Sequence, residues 1–262
     1  MSLWEAIVLG IVQGATEFLP VSSSGHLVLT QELMGLRLPG VGFEVAVHLA
    51  TLISIVIVYR GRIGALLVGL AQRQSPALRE AGLLIVATLP AAVLGILFKD
   101  HIEALFDAPW VPGVAFLVTG GLLWTTRGAL KRKPDGKVDT VRLALLIGFA
   151  QAFALLPGVS RSGSTVVMAL WLGVAGREAA AFSFLMAIPA IGGAAILSIP
   201  DLSGGAGIPG SLLLAGGLAA ALTGILAIQS FIVLLKRQRF HYFSYYLWPL
   251  GIAFLLYLRF NG

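Results

Sequence analysis

Hydrophobic runs dominate the chain. They cover residues 43–59, 81–98, 110–126, 180–198, 210–233 and 243–260, and each approaches the roughly 20 residues that an α-helix needs to cross about 30 Å of hydrocarbon. Two further apolar stretches are interrupted by polar, helix-breaking residues. The first runs from Leu3 to Leu19, breaks at Pro20 to Gly25 and resumes to about Met34; the second runs from Val141 to Leu156, breaks at Pro157 to Gly163 and resumes to about Val174. Each arm is shorter than a span. The pattern therefore predicts six spanning helices and two re-entrant helical hairpins, whose broken backbone must face protein or water rather than lipid.

Charge along the chain supports that count. The basic residues gather in three loops: Arg60, Arg62, Arg73 and Arg79; then Arg127, Lys131, Arg132, Lys133, Lys137 and Arg142; then Lys236, Arg237 and Arg239. Between them the connections are acidic or neutral, with Lys99 beside Asp100, Glu103 and Asp107, and Asp201 alone. If the basic loops are cytoplasmic, the six spans join them only when residues 1–42 begin and end outside and residues 142–176 begin and end inside. Neither segment then crosses the membrane, and the termini lie outside.

The hairpins also resemble each other. Gly10 aligns with Gly148, Gln13 with Gln151, Ser22 with Ser160, Ser24 with Ser162 and Gly25 with Gly163, all 138 residues apart. Three spans, an odd number, follow each hairpin, so the second copy is inserted upside down. LGIL at 94–97 and TGIL at 223–226 extend the likeness weakly. The expected fold is a single all-α integral-membrane domain over residues 1–262, with inverted repeats of about 1–130 and 139–262 and both hairpin tips near mid-membrane.

Composition agrees: 58% hydrophobic, 11% charged and a mean hydropathy of +0.93 exclude a soluble globular domain of this length. Residues 1–9 lack the basic start of a signal peptide, so the first apolar segment is expected to stay in the product. The absence of cysteine rules out disulfides and thiolate metal sites. A net charge of +6 does not imply nucleic acid, because the basic residues lie in membrane loops; RQRFHYFSYYLW at 237–248 reads as an interfacial aromatic belt.

The polar residues that remain are concentrated at the tips. A half-helix begins after each break, and its first N–H groups lack helical acceptors while its dipole is positive there. Two such ends with Arg161 between them suit a phosphate or pyrophosphate. An arginine within an apolar segment is a functional candidate by default. Glu17, at the buried end of the first arm, requires a cation, an arginine or a proton, and His26 lies within a turn of Ser23. Nucleophile, acid/base and carboxylate are thus gathered in one place; the competing reading makes the serines ordinary caps and Arg161–Glu17 structural glue. His48, His101 and His241 are scattered, without zinc spacing, and Glu44, His48 and Glu178 read mainly as packing groups. Any metal would be a hard cation, Mg²⁺ or Ca²⁺, held partly by phosphates. There is no Walker loop to imply ATP.

QGATEFLPVSSSGH at 13–26 and LLPGVSRSGST at 155–165 resemble the two signature regions of the bacterial undecaprenyl pyrophosphate phosphatases, the bacitracin-resistance type of lipid phosphatase. The resemblance spans nearly the whole chain. It implies six spans with two re-entrant hairpins, a bacterial inner-membrane location with the site open to the outer face, and removal of the terminal phosphate of undecaprenyl pyrophosphate to recycle the carrier for peptidoglycan synthesis. By position it makes Glu17, Ser23, His26 and Arg161 catalytic. Ser22, Gly25, Gly158, Ser160, Ser162, Gly163, Ser164 and Thr165 would bind substrate, and Glu17 with Gln13 would hold a divalent cation. Gln13 departs from relatives with glutamate there, which weakens a two-carboxylate metal site. Expected partners are a polyprenyl pyrophosphate and membrane lipid, with no nucleic acid; a homodimer is compatible with the sequence. The rival reading is a secondary transporter or lipid flippase, which shares the broken-helix architecture.

Overall fold

The first helix, α1 (Leu3–Phe18), starts at a reciprocal cap in which the Glu5 N–H donates to Ser2 Oγ and the Ser2 N–H to Glu5 Oε2. It stops because Pro20 has no N–H and forces Leu19 into extended backbone, at φ −64° and ψ 149°. The computed structural model describes residues 1–36, 38, 42–106, 108–132, 134–199 and 208–261; the expected loop charges Asp107, Lys133 and Asp201 lie outside them. Helix α2 (Ser23–Met34) follows the break and closes on Gly35, at φ 64°. The second interrupted stretch repeats the design, with α8 (Val141–Phe153), a break over residues 154–160 and α9 (Arg161–Trp171). Each second half-helix thus starts within the polar motif itself, at Ser23 and at Arg161.

The remaining helices are α3 (Gly42–Val58), α4 (Arg60–Ala71), α5 (Ser75–Leu97), α6 (Lys99–Phe106), α7 (Trp110–Lys131), α10 (Gly176–Leu197), α11 (Gly210–Lys236) and α12 (Phe243–Asn261), the last preceded by a 3₁₀ turn at Phe240–Tyr242. Each expected apolar run falls on one of these, with ends moved by a few residues. Four segments are long and apolar enough to cross a membrane: Ser75–Leu97, Gly176–Leu197, Gly210–Lys236 and Phe240–Phe260. Two bent pairs, α3 with α4 and α6 with α7, bring the number to six when each counts as one span.

Many charges expected in loops lie in helices: Arg79 in α5, Lys99, Asp100 and Glu103 in α6, Arg127 and Lys131 in α7, Arg142 in α8 and Lys236 in α11, because helix ends carry charge past the apolar run. Arg60 and Arg62 do not lie in a loop: they open α4, which turns 84° from α3. The apolar residues that follow, Leu66, Leu67, Val68 and Leu70, continue the helix, and Leu67 and Val68 are exposed on it. Arg62 anchors the bend, donating to Glu80 of α5 and Glu178 of α10 at 2.9 Å each. The partner of Glu178 is thus Arg62 on another helix rather than its neighbour Arg177.

Small residues set the closest packing. A Cβ on Gly10 or Gly14 of α1 would lie 2.2 or 2.1 Å from the carbonyl oxygens of Gly216 and Ala220 on α11, and one on Gly148 of α8 would lie 2.5 Å from that of Ala87 on α5. Such glycines let helices approach where lipid offers no hydrophobic drive. α3 also packs on α11, through Ser54 Oγ donating to the Ala221 carbonyl at 2.7 Å, and α7 on α12, through Ser244 Oγ donating to Gly120 at 2.7 Å. Inside, Phe18, Phe184, Phe231 and Phe240 form an edge-to-face chain. Outside, Leu214, Leu218, Leu222 and Leu226 present an exposed stripe along α11. Together with similar faces on the other long helices, this is far more apolar surface than water tolerates on a soluble monomer, and it makes the chain a multi-pass membrane protein.

Candidate active site

The two breaks meet. Ser162 Oγ donates to the Leu19 carbonyl at 3.2 Å, the Gly158 N–H donates to Ser24 Oγ at 3.4 Å, and a Cβ on Gly163 would touch Pro20 at 3.3 Å. Gly25 lies so close to Gly158 and Phe116 that its Cβ would be 3.1 Å from the Gly158 Cα and 2.6 Å from the Phe116 ring. Both tips are capped alike: Ser22 Oγ accepts from the Gly25 N–H at 3.4 Å and Ser160 Oγ from the Gly163 N–H at 3.0 Å. Ser22 is held at φ 71°, a conformation that a side-chain-bearing residue adopts at a cost of about 1–3 kcal/mol. Gly158 takes φ 89°, which glycine permits freely.

Glu17 is the hub of this junction. One carboxylate oxygen, Oε1, accepts from Arg161 Nη2 at 2.6 Å; the other, Oε2, accepts from Ser23 Oγ at 2.5 Å and from Gln13 Nε2 at 3.1 Å. Ser23 and Arg161 occupy equivalent positions in the two motifs, 138 residues apart, and here both reach one buried carboxylate. Arg161 Nη1 also donates to the Ser183 carbonyl at 3.2 Å. A guanidinium has five N–H donors, and these two contacts engage two of them.

Several expected residues stand behind this centre rather than in it. Thr165 Oγ1 donates to the Arg161 carbonyl and lies 2.7 Å from Ser183 Oγ. Ser160 is fixed through its N–H to Thr119 Oγ1 at 3.3 Å, and its Oγ lies 3.3 Å from Ser162 Oγ. Ser164 Oγ is buried with no hydrogen-bond partner among the described residues.

His26 departs from expectation. Its Nδ1 donates to the Ser22 carbonyl at 2.7 Å, and its Nε2 meets the Tyr246 hydroxyl at 2.8 Å, with the two rings stacked at 5.7 Å. A carbonyl only accepts, so Nδ1 carries a proton and Nε2 of the neutral ring accepts from Tyr246. Ser23 Oγ donates to Glu17 Oε2 at 2.5 Å, while both ring nitrogens of His26 are engaged elsewhere.

Sequence reasoning also missed two residues. His48 does not sit apart: its Nε2 is 3.6 Å from Glu17 Oε2, while its Nδ1 donates to the Glu44 carbonyl at 2.8 Å. The only sequence signal was its turn-spaced pairing with Glu44, whose carboxylate in fact accepts from Gln31 of α2 at 3.0 Å. Tyr246 lay within the aromatic belt, indistinguishable from Tyr242 and Tyr245 until the fold turned it inward. Beside it runs an apolar groove of about 390 Å³ lined by Thr16, Leu19, Val21, Leu234, Arg239, Tyr242, Phe243 and Tyr246.

Comparison with known proteins gives this arrangement its context. A protein named undecaprenyl-diphosphatase from Desulforapulum autotrophicum is 38% identical over 275 residues, covering 98% of each chain. One of the same name from Alkaliphilus metalliredigens is 41% identical over 272 residues, covering 98% of this chain and 99% of the relative. Undecaprenyl-diphosphatase 4 of Bacillus thuringiensis is 41% identical over 258 residues, covering 97% of each. The family model described as bacitracin resistance protein BacA matches residues 6–253, and the chain belongs to that family.

Proposed function

We propose that this chain hydrolyses undecaprenyl pyrophosphate to undecaprenyl phosphate and inorganic phosphate, recycling the lipid carrier for peptidoglycan synthesis in the bacterial inner membrane. The relatives' names support the substrate. The observation that carries the chemistry is the pair of contacts on Glu17: Ser23 Oγ on one oxygen at 2.5 Å and Arg161 on the other at 2.6 Å.

Ser23 Oγ attacks the terminal phosphorus while Glu17 Oε2 takes its proton. The P–O bond to the bridging oxygen breaks, and undecaprenyl phosphate leaves with the electron pair and takes the proton from Glu17. Water then attacks the phosphoserine, giving a proton to the ionised Glu17; the P–Oγ bond breaks, Glu17 passes that proton to Ser23 Oγ, and inorganic phosphate departs. Arg161 and the first-turn N–H groups of α2 and α9 stabilise charge on the transferring phosphoryl group. Tyr246 and the Ser22 carbonyl orient His26 against the pocket wall. The prenyl chain lies in the apolar groove beside Leu19, Val21 and Tyr246.

The residues present do not fit the expected Mg²⁺ or Ca²⁺ on Glu17 and Gln13. Both Glu17 oxygens already accept from Arg161, Ser23 and Gln13, and Gln13 turns its amide nitrogen toward that carboxylate, leaving Oε1 buried without a hydrogen-bond partner among the described residues. No group of three His, Cys, Asp or Glu side chains among the described residues could hold a metal ion, so the steps above run on the chain's own residues.

The finer architecture is six spans and two re-entrant hairpins in inverted repeats over about 1–130 and 139–262. The reciprocal packing supports it: α1 of the first half lies on α11 of the second, and α8 of the second lies on α5 of the first, through equivalent Gly10 and Gly148. The pocket opens to the outer face, with the basic loops cytoplasmic. Phosphate release from a purified-protein reaction on a prenyl pyrophosphate, with and without chelator, tests the reading. One phosphate per lipid is expected, retained when chelator is added; a flippase or transporter would release none.

A further inference from the structure

We propose that a cavity among α7, α10 and α11, at the end of the bundle that carries the basic loops, binds the headgroup of an anionic phospholipid, with the phosphodiester between Arg177 and Lys236. The cavity shares no residue with the junction of the hairpin tips, and it serves membrane binding rather than phosphate transfer.

Its position follows from chain direction. α7 ends at Lys131 and α11 at Lys236, close to where α10 starts at Gly176. Among these three ends lies a cavity of about 210 Å³. Buried Leu130, Ala180 and Leu235 form its floor, and the exposed Arg177, Lys236 and Gln238 its rim. No acidic side chain lines it. Neither Arg177 nor Lys236 has a hydrogen bond or ion pair among the described residues, and the adjacent Glu178 is committed to Arg62 at 2.9 Å. No side chain caps the start of α10, so the helix dipole adds positive potential beside the two cations.

Charge balance singles this cavity out. A larger one, of about 530 Å³, is lined by Arg62, Arg79 and Lys137 but also by Glu80, Asp139 and Glu178. Three charges of each sign cancel there. In the smaller cavity the two positive charges stand alone, as in the basic pockets between spanning helices that hold anionic headgroups.

The apolar wall points to a lipid rather than to free phosphate. Ile232 and Val233 lie four and three residues before Lys236, a spacing that makes them its neighbours on the helix surface. Ile232 lines the cavity, while Val233 is exposed and leads back toward the exposed Leu226 and Leu222. Acyl chains can therefore follow a face of α11 that is already apolar while the headgroup stays at Lys236. Free phosphate would leave the apolar floor facing water.

Phosphatidylglycerol and phosphatidylcholine with identical acyl chains are the probes. Each is titrated into full-length protein in detergent, and native mass spectrometry gives the dissociation constant of the first lipid bound. Phosphatidylglycerol should bind about thirtyfold tighter, from roughly fivefold per cation. Arg177→Gln or Lys236→Gln should each cut that ratio about fivefold, and the double variant should abolish it. Lys137→Gln, in the self-neutralised cavity, should leave the ratio unchanged, and millimolar inorganic phosphate should not displace the lipid. Equal affinity for both lipids in the wild type, a preference that survives the double variant, an equal loss in Lys137→Gln, or displacement by inorganic phosphate would overturn the proposal. Should a variant fail to fold by its melting curve, the wild-type ratio and the phosphate competition decide alone.

Discussion

Replacing Glu17 with glutamine separates structural glue from catalysis. The change keeps the shape and removes one charge from a carboxylate whose side chain is 6% exposed, facing an Arg161 side chain that is 15% exposed, at 2.6 Å. Stripping one partner from such a pair leaves the other charge buried, at about 3–5 kcal/mol, or roughly 6–12 °C in melting temperature at the lower end. Activity should fall further, because the base for Ser23 is lost: about 10²–10⁴-fold, equivalent to about 3–5 kcal/mol of barrier. The double variant Glu17→Gln, Arg161→Gln has no unpaired charge. It should regain about 2 kcal/mol or more of the lost stability through the coupling term, yet remain inactive, since base and phosphate ligand are both absent. Thermal melting in detergent and phosphate release from a prenyl pyrophosphate read the two quantities separately. A double variant no more stable than Glu17→Gln, or a Glu17→Gln enzyme with more than about a tenth of wild-type turnover, would refute the reasoning.

Other outcomes follow from the same contacts. Ser23→Ala removes the attacking oxygen but leaves Glu17 paired with Arg161 and Gln13, so phosphate release should vanish while the melting temperature moves by a few degrees at most. Tyr246→Phe deletes one hydrogen bond to His26; at about 0.5–1.5 kcal/mol, kcat should drop threefold to tenfold with KM nearly unchanged, and adding His26→Gln should not compound the loss. Gly25→Ala places a Cβ 2.6 Å from Phe116 and 3.1 Å from the Gly158 Cα, wedging the tips apart; tenfold or greater loss of kcat is expected, given how steeply rate depends on placement. Gly14→Ala, whose Cβ would meet the Ala220 carbonyl at 2.1 Å, should lower stability by about 1–3 kcal/mol as an overpacked contact.

The sequence made local features legible and hid what the fold brings from afar. The breaks at Pro20 and Pro157, the serine caps at Ser22 and Ser160 and the apolar runs are all set within a few residues, so pattern alone locates them. Arg161 was marked by its charge in an apolar segment. Its contact with Glu17 joins residues 144 apart, which only the repeat and the resemblance could suggest. His48 was hidden because one polar residue on an apolar helix carries no direction until α3 is packed on α11. Tyr246 was hidden because a belt of tyrosines differs only in which way each one turns. Helix α4 was missed because Arg60 and Arg62 read as loop charges, although Arg62 finds its partners in Glu80 and Glu178 on other helices and Arg60 donates to the Ile57 carbonyl.

The most direct test asks whether the two halves build one phosphate site. Phosphate release from a prenyl pyrophosphate is measured with purified wild type, Ser23→Ala and Arg161→Ala, each confirmed folded by its melting curve. The wild type should release one phosphate per lipid and either variant none. Sustained release by both variants would mean that the hairpin tips meet for some other purpose.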